Sequence, residues 1–157
     1  MAEPRFFSQQ WADAVADALI AGPSPQVRAG KLDDYWNFYD MVKGSSRVSW
    51  ALGCRDLPAE LGKGPAYLLV RWGGGTVAEC RIIGPDDPLD ARCVLRMNYA
   101  DWKALHDGYD AQRTVMYRKI LLEEGSLLRF FKTIYFFVES LAVIGTVPGT
   151  YPEPGAS

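Results

Sequence analysis

The side chains able to do chemistry are few and scattered. Cys54, Cys80 and Cys93 are odd in number and far apart, form no C-x-x-C pair, and have a single histidine, His106, to share a metal with. They read as reduced structural thiols. Asp86 and Asp87 stand between Pro85 and Pro88 without a third hard ligand, which is the composition of a turn and not of a cation site. Three consecutive glycines, Gly73 to Gly75, invite a phosphate-cradling reading, but no Lys-Ser/Thr opening a helix follows them. His106 sits beside Asp107 with neither a nucleophile nor an orienting third group in sight, and Glu123-Glu124 read as the solvent end of a short extended segment. The expectation is a binding protein and not an enzyme, with no cofactor and no metal.

Charge narrows the partners. A net charge of -2 and an isoelectric point near 5.4, with no block of Lys or Arg, exclude an electrostatic nucleic-acid binder. The N-terminal segment carries Asp13 and Asp17 where an export signal needs an unbroken apolar core, and Lys132 and Glu139 interrupt the most apolar stretch before it reaches the ~20 residues of a membrane span. These features predict a cytoplasmic protein without stable membrane insertion.

The elements that must position any site follow from hydrophobic period. Ser8 caps a helix carrying Trp11, Val15, Ala18 and Leu19 at helical spacing, ending at Gly22-Pro23. A second helical segment with Leu32, Tyr35, Trp36, Tyr39 and Val42 follows Ser24-Pro25, and Gly30 is expected to divide it. From Arg47 the period becomes two, over Val48, Trp50 and Leu52, then residues 66–72, 76–83 and 91–97. Gly73 to Gly75 predict a tight antiparallel hairpin between the second and third of these strands. Leu68, Val70, Trp72, Ala78, Cys80, Ile82, Cys93, Leu95 and Met97 form one face; Tyr67, Arg71, Glu79, Arg81, Arg92 and Arg96 form the other. One greasy face and one charged face call for helices on one side only, with cross-strand charge pairs on the other.

Asn98 followed three residues later by Asp101 predicts a helix start, closed at Gly108; Asp110 caps a further short helix, and residues 119–123 read as a fifth extended segment. Residues 126–142 then form one helix with apolar residues on nearly every side and only Arg129, Lys132, Thr133, Glu139 and Ser140 to face water. Since a surface helix needs an apolar arc of only about 100°, other elements must cover this one. The segment from 145 to 157 is Pro/Gly-rich and expected to be flexible.

The pattern Y-x-x-W-K-x-L-x-x-G through Tyr99, Trp102, Lys103, Leu105 and Gly108, continued by Asp110, Met116, Lys119-Ile120 and Gly125, resembles the sterol carrier protein type 2 family. Arg118 and Ser126 depart from the family pattern, where Gly and Asp are common. The resemblance covers residues 6–142 in plan and residues 99–131 in specific residues. It implies an α+β fold: a curved, mainly antiparallel sheet of about five strands, helices over one face, and an apolar cavity between the sheet and the C-terminal helices, in a single domain over residues 1–144. It also implies non-catalytic binding of a sterol, fatty acid, fatty acyl-CoA or similar lipid.

From the residues alone, a greasy slot suffices for such a ligand, because each buried methylene contributes about 0.8 kcal/mol. Trp50, Leu68, Val70, Leu95, Met97, Trp102, Phe130, Phe131, Ile134, Phe137 and Val138 are the residues expected to line it. The same aromatic stripe also fits a filled core with no room for a guest. In that case the surplus apolar surface of Phe136, Val143 and Ile144 would dock on another protein or on a second copy as a homodimer.

Overall fold

In a computed structural model, residues 3–62 and 64–152 are described. The chain runs α1 (Gln9–Ala21), α2 (Pro25–Arg28), α3 (Asp33–Ser45), β1 (Ser49–Cys54), β2 (Ala66–Trp72), β3 (Val77–Ile83), β4 (Cys93–Met97), α4 (Tyr99–His106), α5 (Ala111–Met116), β5 (Ile120–Glu124), α6 (Leu127–Lys132) and α7 (Ile134–Gly145). The strands form one open sheet in the order β3-β2-β1-β4-β5. Every neighbouring pair is antiparallel except β1 and β4, which run parallel with Trp50 opposite Cys93 and Leu52 opposite Leu95. Parallel neighbours need a long crossover, and here the β2–β3 hairpin and the loop after it supply the chain between them.

Local signals set most boundaries as expected. The Ser8, Ser24 and Asp110 side chains accept from the backbone N–H groups of Trp11, Val27 and Gln112, satisfying donors that a helix start leaves unpaired. The chain breaks around Gly30 between α2 and α3. At the hairpin Gly74 and Gly75 both have positive φ, the geometry of a turn that matches strand twist, and Gly73 N–H donates to Thr76 O at 2.8 Å. The glycines also end a helix: Gly75 N–H donates to Lys43 O and Gly74 N–H to Ser46 O, both at 2.9 Å. Helix α4 is capped differently from expectation, for Asn98 makes no side-chain cap and Asp56 Oδ1 accepts from Tyr99 N–H at 2.7 Å.

Helix α7 is the hub of the helical layer and contacts α1, α3, α4 and α5. Its Phe136 and Phe137 lie on Trp50 with ring centroids 5.5 and 5.0 Å apart, and Phe136 also reaches Trp72 at 5.0 Å. The inner sheet face beneath is Trp50, Leu52, Cys54, Leu68, Val70, Trp72, Cys93, Leu95 and Met97, all buried. Gly145 allows α7 to close on α4, since a Cβ there would stand 2.9 Å from Leu105 Cγ and 3.0 Å from Leu105 O. The edge strand β3 is covered by α1, where Gln9 Nε2 donates to Cys80 O and Gln9 Oε1 accepts from Ile82 N–H, so a side chain substitutes for a missing strand.

The outer face carries the expected charge pairs. Arg71 and Glu79 are direct cross-strand partners, Glu79 is shared with Arg81, and Arg96 pairs with Glu123. The Arg81 and Arg71 guanidiniums hold the Glu79 carboxyl below the usual carboxylate range. Beneath this charged layer Ala51, Leu69, Ile83 and Val94 are buried as a thin second apolar layer. Long charged side chains can cover apolar surface in this way while their heads stay in water.

Four expectations give way. Residues 126–142 are two helices and not one: the chain breaks at Thr133 (φ -120°, ψ 29°), a β-branched residue with weak helix preference. Ala78, expected inward, is exposed, because a register shift at Arg71/Trp72 pairs Trp72 with Val77 and leaves Ala78 as the extra residue of a bulge. Ser140 and Glu139, both expected in water, are buried: the Ser140 hydroxyl donates to Phe136 O, and Glu139 is at 5% exposure. It accepts from Lys31 Nζ at 3.1 Å and from the Tyr35 hydroxyl at 3.2 Å. Burial, and then the Glu139 charge, push the Tyr35 phenol up. The Pro/Gly-rich segment after α7 is docked as far as Pro152: Val147 is buried, Phe6 N–H donates to Thr150 O at 3.1 Å, and Tyr151 stacks on Phe6. Residues 153–157 lie outside the described residues.

Lys31→Ala leaves the buried Glu139 carboxylate with Tyr35 alone. It is expected to lower unfolding free energy by about 1–3 kcal/mol, read as a lower urea midpoint with an unchanged slope.

Candidate functional site

Where the inner core reaches the start of β1 and β4, it opens. A pocket of about 360 Å³ lies under α6, lined by Ser46, Arg47, Val48, Trp50, Arg92, Cys93, Ser126, Arg129, Phe130 and Thr133. Three segments build it. The α3–β1 connection brings residues 46–48; the start of β4 brings Arg92 and Cys93; and α6 with its flanks forms the roof. Parallel pairing of β1 with β4 is what puts the first two together, for both strands begin at the same end of the sheet. Arg92 N–H donates to Ser49 Oγ at 2.7 Å and pins this junction. Gly125 starts the turn into the roof at φ 119°, and a Cβ there would lie 2.8 Å from Arg92 O, so a residue larger than glycine would push the roof away from β4.

The interior is apolar and the rim is polar. Trp50, Cys93 and Phe130 are buried, Val48 is half-buried, and Arg47, Arg92 and Arg129 are exposed. Phe130 packs edge-on against Phe137 with centroids 4.9 Å apart, so it stands between the pocket and the core under α7. Pockets of a few hundred Å³ with an apolar body and a few polar groups are the usual form of small-molecule sites.

Among the residues expected to line a ligand slot, Trp50 and Phe130 border this pocket. Leu68, Val70, Leu95, Met97, Trp102, Phe137 and Val138 are buried in the continuous core, and Ile134 is half-buried against it. Trp102 also has a framing task, since its indole N–H donates to Gly53 O at 3.0 Å and ties α4 to β1. Phe131 is 52% exposed, with its ring edge-on to that of Phe130 at 6.0 Å between centroids. The surplus apolar surface is therefore not on Phe136, Val143 or Ile144, which are buried, but on Leu127, Leu128, Phe131 and Tyr135. Sequence reading missed the three arginines. Arg92 was assignable by alternation to the charged sheet face, yet it precedes β4 and turns to the pocket, and no local signal joins it to Arg47 and Arg129.

Of the three cysteines and His106, only Cys93 borders the pocket. Among the described residues no group of three or more His, Cys, Asp or Glu is placed to hold a metal ion. His106 stacks on Tyr151 at 4.4 Å and borders no part of the pocket. Burial pushes the Cys54 and Cys80 thiols up to about 12 and raises that of Cys93. No helix among the described residues is long and apolar enough to cross a membrane.

An open mixed sheet with helices packed on one face, and a pocket where a C-terminal helix roofs that face, defines an α+β fold. No family model and no curated protein matches the sequence. Solved structures do match in fold. A crystal structure of sterol carrier protein 2 superposes with a TM-score of 0.69 at 16% identity, over 92% of this chain and 100% of that one. A solution structure of a conserved hypothetical protein from Thermus thermophilus, described as a candidate sterol carrier protein, superposes with a TM-score of 0.67 at 16% identity, over 99% of this chain and 97% of that one. The chain has a sterol carrier protein 2-like fold.

The thiolate is the reactive form of cysteine, so raised thiols are slow. At about pH 8 the native protein is expected to resist an aromatic disulfide reagent over minutes and to titrate as three thiols once unfolded in guanidinium. Among the three, Cys93 on the pocket floor is expected to react first.

Proposed function

We propose that this protein binds a lipid without chemical conversion, in the pocket beneath α6, and carries it in solution. The observation that supports this most is the pocket's position. It opens where the inner sheet face meets the roof helix, with Trp50 of β1 on one side and Phe130 of the roof on the other. The likeness in fold to sterol carrier protein 2 supports the same reading.

In this reading Phe130 is the gate. The core behind it is filled by Trp50, Trp72, Phe136 and Phe137, so a longer apolar tail gains room only as Phe130 turns aside. Each methylene that then leaves water contributes about 0.8 kcal/mol, so a tail of several carbons suffices for useful affinity after association costs. The roof is six residues long and is joined to the rest at Gly125 and Thr133, so moving it disturbs little of the core.

A second reading rests on a different surface. Leu127, Leu128, Phe131 and Tyr135 leave an exposed apolar strip on the roof and the start of α7, which favours docking on a second copy or on a larger protein as an accessory module.

Thr133→Trp is expected to fill the pocket and weaken displacement of a fluorescent fatty acid by at least tenfold, with a melting temperature close to the parent's. Phe131→Asp is expected to leave that affinity unchanged. Lipid recovered by solvent extraction from the parent and not from Thr133→Trp would agree. Equal binding by both would remove the pocket as the site, and a stable dimer in light scattering, dissociated by Phe131→Asp, would favour the module.

A further inference from the structure

The two edges of the sheet are finished differently. At β3 the outward backbone groups of Cys80 and Ile82 are taken by the Gln9 side chain. At β5 nothing takes them. Arg55 N–H donates to Met97 O, so the Met97 backbone is turned to β1, and strand alternation then turns Arg96 to β5, where it pairs with Leu121. Ile120 and Leu122 are left with their N–H and C=O groups on the open side, and among the described residues no hydrogen bond from elsewhere in the chain reaches them. An open row of this kind is a template for a further strand.

The edge is complementary to itself. It begins with two cations, Arg118 and Lys119, continues through Ile120, Leu121 and Leu122, and ends in two anions, Glu123 and Glu124. Antiparallel pairing of two such segments about a two-fold axis at Leu121 sets Ile120 opposite the partner's Leu122, which matches the free backbone groups. The same register brings Arg118 and Lys119 alongside the partner's Glu124 and the partner's Glu123. Lys119 already meets Asp101 and Glu123 meets Arg96, while Arg118 and Glu124 form no ion pair among the described residues. Shortness and terminal charge ordinarily keep an edge from joining another chain. Here they select one arrangement, because the antiparallel pairing alone sets opposite signs together.

Apolar surface follows the same symmetry. Met116 and Tyr117 just before the strand, and Leu127 and Leu128 just after it, are each more than half exposed. Helix α5 touches α7 and α6 roofs the inner face, so both ends of the strand adjoin the helical layer. A two-fold axis through the sheet keeps both helical layers on one side, and Met116 and Tyr117 then face the partner's Leu127 and the partner's Leu128. We propose that β5 is a self-association edge: two copies join their β5 strands antiparallel, so that two five-stranded sheets become one, with Arg118 of each copy beside the partner's Glu124. This does not depend on the lipid reading of the pocket, and it uses the sheet edge where the accessory-module reading uses Phe131 and Tyr135.

The test is the sedimentation mass of the full chain and of charge-exchanged variants. At micromolar concentration the parent is expected to sediment as a dimer of the 17.5 kDa chain. Arg118→Glu and Glu124→Arg are each expected to weaken the dimer about tenfold, since each sets like charges together at both ends of the junction. The double variant restores the order of signs and is expected to recover the dimer, which loss of fold could not produce. Leu121→Cys, on the axis, is expected to form an interchain disulfide under mild oxidation, beyond any formed by the parent's own thiols. Glu123→Cys, which the same register sets about 13 Å from its copy along the strands, is expected not to. A monomeric parent overturns the proposal. So does a dimer that both charge reversals leave intact, one that Leu121→Cys fails to cross-link, or one that Phe131→Asp dissociates, which would give the interface to the roof strip.

Discussion

Trp50 is the residue on which the rest depends. On one side its ring meets Phe136 and Phe137 of α7 and Trp72 of β2; on the other it forms part of the pocket floor. Burying one large aromatic side chain contributes on the order of 1.5–3 kcal/mol, and edge-to-face geometry adds a fraction more. More important is what this contact fixes. Once α7 lies on β1 through Trp50, the helices that touch α7 have their places, the inner sheet face is dry, and α6 is left at the margin as a short roof. Core and pocket are thus two sides of one side chain.

The two faces of the sheet manage water differently. Inside, apolar side chains from the strands meet helices, and the buried carboxylate of Glu139 is met by Lys31 and Tyr35 from the opposite helical segment. Outside, the Arg71–Glu79–Arg81 and Arg96–Glu123 pairs lie over Leu69, Ala51 and Val94. Exposed ion pairs contribute little each, about 0–1 kcal/mol. Their value on this face is cover, since their aliphatic stems shield a second apolar layer for which there is no helix.

What could be read from residue order was whatever depends on near neighbours. Period-two alternation marked the strands, three glycines marked the hairpin, and Ser8, Ser24 and Asp110 marked helix starts, because each of these acts within a few residues of itself. The motif through Tyr99, Trp102, Leu105 and Gly108 carried the fold, as the indole bond of Trp102 to Gly53 and the seat of Gly145 against Leu105 explain. What could not be read was set by distant contacts. The break at Thr133 falls inside a largely apolar run and has neither glycine nor proline to announce it. The burial of Glu139 depends on Lys31, and the gathering of Arg47, Arg92 and Arg129 depends on the parallel pairing of β1 with β4, which no local pattern distinguishes from an antiparallel one.

The docked segment after α7 closes a ring. Thr150 pairs in parallel with Arg5, Tyr151 stacks on Phe6, and both lie by Tyr99 and Trp102, at the end of β1 and β4 away from the pocket. Since the two arms of the chain meet there, the polypeptide path is nearly circular. The meeting of the two arms and the pocket thus lie at opposite ends of the sheet, so the contacts that join the arms share no residue with the pocket lining.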